Sequence, residues 1–115
     1  MYKISNRDFN YILNMLESIS KIQQYSSKFK TVDEFYEDTI AFDATLMNFI
    51  VIGEMVEKLS EKFLNESKKE IEWSKVRGFR NIIAHNYFGV DAEEVWQIIN
   101  GSLIKLKENL QNFSN

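Results

Sequence analysis

The 115-residue sequence contains no proline and only four glycines, which favours long helices. Proline removes a backbone donor and clashes with the preceding helical turn, so its absence lets helices continue. Proline-rich linkers and collagen-like repeats are excluded, and a fold of strands and tight turns becomes less favourable. Because 44% of the residues are apolar, the chain can bury a core, and its length fits one domain over residues 1–115.

Apolar residues recur at three- and four-residue steps through most of the chain, a spacing typical of amphipathic helices. We predict a first helix from Ser5 to about Ser26. A second helical stretch follows Thr31 and Glu34, which have the spacing of a capping box. A third, unusually apolar helix is expected over 40–63. Its apolar residues lie on two sides, so it must be central in the domain or contact a second copy of the chain.

The second half of the chain predicts further helices. The polar segment 65–70 is interpreted as a loop, and the next helix spans about 73–87. That helix stops near Gly89, which we expect to adopt the left-handed conformation. A last helix over 91–113 begins at an aspartate suited to capping it. We therefore predict an all-α bundle of four main helices, with a short extra helix between 31 and 40.

Composition excludes several classes of function. There is no cysteine, so disulfide scaffolds, thiolate metal sites and cysteine nucleophiles are ruled out. The longest apolar run, 49–52, is too short to span a bilayer, and the N-terminus has no signal-peptide core. We expect a soluble, cytoplasmic protein without membrane contact. The net charge of −3 is unlike that of a general nucleic-acid binder.

That net charge conceals a basic segment over 73–90. The segment has no acidic residue but contains Lys75, Arg77 and Arg80, so the remainder of the chain carries −6. Guanidinium groups are suited to phosphate recognition, which makes this segment the candidate site. The single histidine of the chain, His85, follows in the same segment and could transfer protons near neutral pH.

Helical geometry places these side chains on different faces. Arg77, Asn81 and His85 are four residues apart and share one face, whereas Arg80 nearly superimposes on Tyr87 if the helix persists. Arg80 and His85 are separated by about 140° around the axis and about 7.5 Å along it. Because one helix cannot easily aim both at the same phosphorus atom, we predict a homodimer with a composite site.

Other candidate sites have simpler interpretations. Glu34, Glu37 and Asp38 could suggest a metal, but a solvated helix start explains them, and no metal or cofactor is predicted. A di-iron bundle also needs Glu-x-x-His pairs, and Ile82 stands three residues before the histidine. The aromatic residues near the basic segment are interpreted as core or dimer packing rather than base-stacking platforms; they are Trp73, Phe79, Phe88 and Trp96.

Residues 80–87, with the sequence Arg-Asn-Ile-Ile-Ala-His-Asn-Tyr, resemble the Arg-x4-His-x-Tyr motif of HepT-like toxins in the HEPN superfamily. The following Phe-Gly-Val-Asp at 88–91 and the Ile-Gly-Glu within 48–59 also look like that branch. The resemblance covers about 35–106. It implies a dimeric helical bundle that acts as a metal-independent endoribonuclease, the toxin of a toxin–antitoxin pair of type II or VII, in a cleft between subunits.

Carried over by position, the resemblance assigns roles to individual residues. It makes His85 the acid–base group and Arg80 the clamp on the phosphate, while Asn81 would orient the histidine or the substrate. Tyr87 would be the tyrosine to which a minimal nucleotidyltransferase antitoxin transfers AMP. From its charge alone, Arg77 could contact substrate phosphate or form an ordinary surface ion pair. The expected substrate is RNA, with tRNA as one candidate, and DNA is excluded because it lacks the 2′-hydroxyl.

Two alternatives stay open at this point. Many family members have glycine between the histidine and the tyrosine, whereas this chain has Asn86, which could change how Tyr87 is presented. Asparagine tolerates the left-handed conformation, so the turn itself could be kept. The second function class is a non-catalytic helical module that binds RNA, a nucleotide or the antitoxin through the same basic cleft.

Overall fold

The computed structural model describes residues 4–114 and is all-helical over that range, which confirms the predicted fold class. The seven α-helices of this range and one 3₁₀ turn are, in chain order, α1 (Asn6–Ser26), α2 (Val32–Glu37), α3 (Thr39–Lys58), α4 (Glu61–Ser67), α5 (Trp73–His85), the 3₁₀ turn Tyr87–Gly89, α6 (Ala92–Ile99) and α7 (Ser102–Ser114). The longest are α1, α3, α5 and α7, and α2 is the short helix expected between 31 and 40.

Helix α3 lies at the centre of the bundle. It packs most extensively against α1 and also contacts α2 and α5, while α1 contacts α6 and α7 on its other side. By length and composition alone α3 could cross a membrane, but 44% of its most apolar window is buried within the bundle. Its buried side chains join one core with those of α1, α5 and α7, including Ile12, Leu46, Ile83 and Leu110.

The predicted helix starts are confirmed where a polar side chain caps the backbone. The hydroxyl of Ser5 accepts from the Asp8 amide at 3.1 Å, and that of Thr31 accepts from the Glu34 amide at 3.2 Å. Glu34 in turn accepts from the amide of Lys30, one residue before the cap, at 3.1 Å, so the second start is closed by a variant of the predicted capping box. Each start is therefore encoded within four residues of the chain.

The predicted helix over 40–63 and the predicted loop over 65–70 are both wrong in their bounds. The α3 helix ends at Lys58, and a separate α4 helix occupies much of the assigned loop. A contact across the bundle explains the break. The buried carboxylate of Asp8 accepts from the backbone amide of Ser60 at 2.9 Å and from its hydroxyl at 2.7 Å. Ser60 then caps α4, so the chain turns where Asp8 holds it.

The predicted last helix over 91–113 is divided into α6 and α7. Asp91 caps α6 as expected, accepting from the Glu93 amide at 3.0 Å. The break falls at Gly101, whose amide forms a tighter turn by donating to Ile98. Glycine loses more backbone freedom in a helix than other residues, which makes it a favourable place to interrupt one.

Candidate functional site

Helices α3 and α5 form an antiparallel pair that carries every residue of the predicted site up to His85. Phe79 of α5 meets Phe49 of α3 edge to face, with ring centroids 5.0 Å apart. The next residue of α5, Arg80, crosses α3 directly over Gly53, which lies one helical turn after Phe49. Rings in this geometry add about 0.5–1.5 kcal/mol beyond the area they bury, so this contact holds α5 in register with α3.

Gly53 is required for this close approach. A Cβ atom at position 53 would overlap both Cβ and Cγ of Arg80, and neither of these atoms can swing away as the end of a flexible side chain could. The backbone of Gly53 is helical and buried, so the glycine serves to make space rather than to allow an unusual backbone angle. A larger residue would separate the two helices at the candidate arginine.

Replacing Gly53 by alanine is therefore expected to destabilise the protein by about 1–3 kcal/mol, the usual cost of overpacking. Gly78→Ala is the matched control, because nothing lies within 4 Å of a Cβ added there, in the middle of α5. That control should stabilise the helix by about 0.5–1 kcal/mol. Urea denaturation of the two variants measures both effects. Equal stability of Gly53→Ala and the wild type would contradict the close approach.

The cations of the basic segment 73–90 are paired with glutamates. This corrects the inference from charge alone that the segment presents unpaired positive charge. Each of its three cations contacts a glutamate: Lys75 pairs with Glu72 at 3.4 Å, Arg77 Nε lies 3.0 Å from Glu57 Oε1, and Arg80 pairs with Glu54. The Arg77 contact lacks the geometry of a directed hydrogen bond. Because two of these glutamates come from α3, the neutralisation becomes visible only when the helices are paired. An approaching phosphate must therefore compete with carboxylates.

Arg80 has the most constrained side chain of the predicted site residues. Its Nη2 donates to Glu54 Oε1 and its Nη1 donates to Asn81 Oδ1 at 3.0 Å. The Nε is buried and has no hydrogen-bond partner within the described range 4–114. Only 30% of the Arg80 side chain is exposed. Asn81, predicted to orient the histidine or the substrate, is thus seen holding the arginine.

His85 ends α5 and is exposed. Within residues 4–114 its ring makes neither a hydrogen bond nor an ion pair, so both nitrogens face solvent. Arg80 faces α3 while His85 does not, which agrees with the angular separation expected from helical geometry. The structure thus places the two residues at one end of the same helix without bringing them to a single point.

Tyr87 does not continue the helix, so the expected alignment of Arg80 with Tyr87 on one face is wrong. It begins the 3₁₀ turn, and its half-buried ring meets that of Phe88 at 5.6 Å. Its partial burial raises the pKa of the phenol above its usual value, and a hydrogen bond to Asp43 and the charge of that carboxylate act in the same direction. Partial burial beside the Asp43 carboxylate of α3 thus disfavours the ionised phenol.

Two further expectations about this turn need correction. Gly89 does not adopt the left-handed conformation, since no described residue has a positive φ. A Cβ added there would meet the amide group of Asn86, a side-chain end that would have to swing aside. Asn86 itself has φ −145° and ψ 58°, so it does not use the left-handed conformation that asparagine tolerates. The side chain of Asn86 therefore packs beside Gly89 within this turn.

The aromatic residues divide between core and surface. Trp73 is buried and donates its indole N–H to Ser67 at 2.9 Å, Phe79 packs on Phe49, and Trp96 packs on Phe35. Phe88, by contrast, is fully exposed at the end of the candidate site, so core packing is wrong for this residue. Packing of Phe88 against a second copy stays a prediction.

Sequence reasoning gave no site role to three residues beside the site, Gly53, Glu54 and Asp43, although Gly53 and Glu54 belong to the Ile-Gly-Glu noted for the resemblance. All three lie on α3, far along the chain from the motif. One signal was present: Glu54 and Glu57 have the same three-residue spacing as Arg77 and Arg80. On adjacent antiparallel helices equal spacing allows two ion pairs to form side by side, as they do here.

Comparison with known proteins gives one matching family model and several curated relatives. A family model described as "Ribonuclease HepT-like" matches residues 15–113. Among curated proteins, the chain is 34% identical over 100 residues to "Gamma-glutamylcyclotransferase and putative RNase MJ0434" of Methanocaldococcus jannaschii, covering 87% of this chain and 44% of that protein. It is 30% identical over 89 residues to "Putative RNase MJ0127" of the same organism, covering 77% and 72%.

A third relative is "Probable ribonuclease HepT" of Thermococcus cleftensis, 27% identical over 108 residues that cover 91% of this chain and 92% of the relative. The chain thus spans less than half of the first of these proteins and nearly all of the third. No solved structure matches the chain.

Proposed function

The chain belongs to the HepT-like ribonuclease family, and we propose that it is a metal-independent endoribonuclease that cleaves RNA with Arg80 and His85. The observation that supports this most strongly is the pairing, on one helix, of an oriented arginine with an exposed histidine that has no competing partner among residues 4–114. Family membership supports the reaction class, and the geometry of α5 supports Arg80 and His85 as the reacting groups.

The proposed reaction uses a nucleophile carried by RNA itself. His85 accepts the proton of a 2′-hydroxyl, the resulting oxygen attacks the adjacent phosphorus, and the 5′-oxygen leaves with a proton from the imidazolium or from water. The terminal N–H groups of Arg80 stabilise the charge that develops on the phosphate oxygens. The products are a 2′,3′-cyclic phosphate and a 5′-hydroxyl. DNA resists because it lacks the attacking group.

A comparison of nucleic acids tests this proposal. Purified protein is incubated with a mixed RNA pool, with the same sequences as 2′-O-methyl RNA and with the same sequences as DNA. Only the unmodified RNA is expected to be cleaved. Binding of RNA without cleavage would favour a non-catalytic module acting through the same surface. Cleavage of DNA or of 2′-O-methyl RNA would contradict attack by the 2′-hydroxyl.

We further propose that the active form is a homodimer with a composite site. Two side chains of α3 support this proposal, since Ile40 is 83% exposed and Met47 is 56% exposed. Met47 lies between Asp43, which contacts Tyr87, and Glu54, which contacts Arg80. A second copy on this face would cover exposed apolar area and bring a second His85 toward the first Arg80.

The dimer proposal predicts that Met47→Glu converts a dimer into a monomer and abolishes most RNA cleavage, because it places a charge in an apolar interface. Ile104→Glu is the control, since Ile104 is a comparably exposed apolar residue on α7. That variant should remain dimeric and active. Sedimentation at tens of micromolar protein measures the mass of each variant. A monomeric wild type would contradict the composite site.

Tyr87 is the proposed site of control by a minimal nucleotidyltransferase antitoxin, which would transfer AMP to the phenol. The phenol oxygen of Tyr87 would attack the α-phosphorus of ATP, lose its proton and release pyrophosphate, and the neighbouring carboxylate of Asp43 is the candidate acceptor of that proton. Bulky, charged AMP on Tyr87 would lie close to His85 and obstruct the approach of RNA. The proposed setting is a cytoplasmic toxin–antitoxin pair.

Tyr87→Phe is expected to retain RNA cleavage within about threefold of the wild type while accepting no AMP, because it loses only the modified hydroxyl. Incubation with a purified minimal nucleotidyltransferase and ATP, followed by intact-mass measurement, detects each added AMP. Tyr36→Phe is the control, since Tyr36 is an exposed tyrosine elsewhere on the surface. AMP addition to the Tyr87→Phe variant would place the modification on another residue.

A further inference from the structure

Glu54 has no role in the proposed reaction, yet it makes the closest polar contact to the proposed catalytic arginine. Its carboxylate accepts from Arg80 Nη2, and 42% of its side chain is exposed. The same α3 turn contributes Gly53, over which Arg80 passes. Adjacent residues of α3 thus hold both the aliphatic root and the charged end of the Arg80 side chain.

Only some of the N–H donors of Arg80 are used within the protein. Of its five N–H groups, one on Nη2 is used by Glu54 and one on Nη1 by Asn81. The Nε–H is buried, so it cannot reach a substrate. One N–H on each terminal nitrogen remains. A planar guanidinium held at both terminal nitrogens cannot rotate freely, so these two donors keep a fixed direction.

We propose that Glu54 is a positioning residue that sets the plane of the Arg80 guanidinium so that it stabilises the charge developing on the phosphate in the transition state. This inference rests on the proposed ribonuclease function and deepens it. Glu54 acts through Arg80 and contacts no reacting atom. Gly53 gives the arginine its path across α3, Glu54 holds Nη2, and Asn81 holds Nη1, so the remaining donors are oriented before RNA arrives.

The neighbouring ion pair between Arg77 and Glu57 allows a positioning role of Glu54 to be distinguished from ordinary charge pairing. It lies one turn along the same two helices but lacks directed hydrogen-bond geometry, and no second side chain is bonded to Arg77 among residues 4–114. Partly exposed ion pairs of either kind contribute only about 0–1 kcal/mol to stability. Glu57 therefore provides a matched control of equal charge, helix and partner type.

The negative charge of Glu54 gives the proposal a kinetic signature. A carboxylate beside the phosphate site opposes the binding of RNA, so its removal should not weaken binding and should strengthen it at low salt. Loss of the fixed guanidinium plane should nevertheless slow the chemical step, since small misplacements of a catalytic group lower rates steeply. A merely structural contact would not lower kcat while leaving KM equal or smaller.

The test compares Glu54→Gln with Glu57→Gln in the full chain. For Glu54→Gln we expect kcat for RNA cleavage to fall by about 10–100-fold with KM unchanged or lower. For Glu57→Gln we expect kcat within about threefold of the wild type, since that pair is not directed. Wild-type kcat in Glu54→Gln would overturn the proposal, as would an equal loss of kcat in both variants.

Nitrogen NMR of the arginine side chains provides a readout that does not depend on cleavage. In the wild type the Arg80 terminal N–H groups should give separate signals because their rotation is restricted, and these signals should merge in Glu54→Gln. Averaged Arg80 signals in the wild type would overturn the proposal. If the wild type cleaves no RNA, the ribonuclease proposal fails, whereas these signals still decide whether Glu54 orients Arg80.

Discussion

Replacing His85 by alanine is expected to lower the rate of RNA cleavage by about 10²–10⁴-fold, the usual contribution of a general acid or base. His85 is the chain's single histidine, so no other imidazole of the same subunit can take its place. A composite dimer would lose both copies at once. The measurement is kcat/KM for a defined RNA, with the wild type and the variant prepared in parallel.

The His85 variant should fold as the wild type does, because the side chain is exposed and forms no hydrogen bond or ion pair among residues 4–114. Helical circular dichroism and urea denaturation check this condition. His85→Gln is a useful companion, since glutamine retains hydrogen bonding but cannot exchange a proton near neutral pH. Cleavage by either variant at the wild-type rate would remove His85 from the mechanism.

Replacing Arg80 by lysine is expected to lower kcat by about 10²–10³-fold even though the charge is retained. Lysine offers a compact ammonium on a flexible stem, whereas the guanidinium presents parallel donors in one plane. Lysine cannot keep the simultaneous contacts that Arg80 makes with Glu54 and Asn81 through two different nitrogens. The predicted defect is therefore in the transition state rather than in initial binding.

Arg77→Lys is the control for this prediction. Arg77 pairs with Glu57 through an undirected contact, so lysine should reproduce its electrostatic effect. We expect kcat for that variant to stay within about threefold of the wild type. Equal activity of Arg80→Lys and the wild type would show that any cation suffices at this position. The oriented guanidinium would then have no catalytic role.

The starts of α1, α2 and α6 were predictable because their determinants are local. Ser5, Thr31 and Asp91 each cap a helix through a side chain bonded two or three residues ahead. The end of α3 was not predictable, because it depends on Asp8 holding Ser60 from the other side of the bundle. Contacts between residues 52 positions apart leave no periodic pattern in the sequence.

The candidate site likewise has one part that the sequence predicts and another that depends on contacts between helices. Arg80, His85 and Tyr87 were recognisable from their spacing within one segment, and the structure keeps the first two on a single helix. The orientation of Arg80 depends on Gly53 and Glu54, which only the pairing of α3 with α5 brings near. The position of Tyr87 likewise depends on where α5 ends, because one residue separates a helical face from a 3₁₀ turn.

The net charge of one segment, taken alone, does not predict the charge of the folded surface. The segment 73–90 carries +3 in sequence, but α3 and the preceding turn supply three glutamates that pair with its cations. The candidate surface is thus a set of paired charges. An exposed pair such as Lys75 with Glu72 is weak, so a polyanion that makes several contacts can displace it, whereas the role proposed for Glu54 requires its pair with Arg80 to persist.

Analysis of the RNA ends formed in the presence of a metal chelator tests the central claim most directly. Purified protein and a mixed RNA pool are incubated with EDTA, and the new termini are identified by mass spectrometry. Attack by the 2′-hydroxyl at Arg80 and His85 predicts 2′,3′-cyclic phosphate and 5′-hydroxyl ends, absent when His85→Ala is used. Ends bearing a 3′-hydroxyl and a 5′-phosphate, or RNA left intact in EDTA, would contradict it.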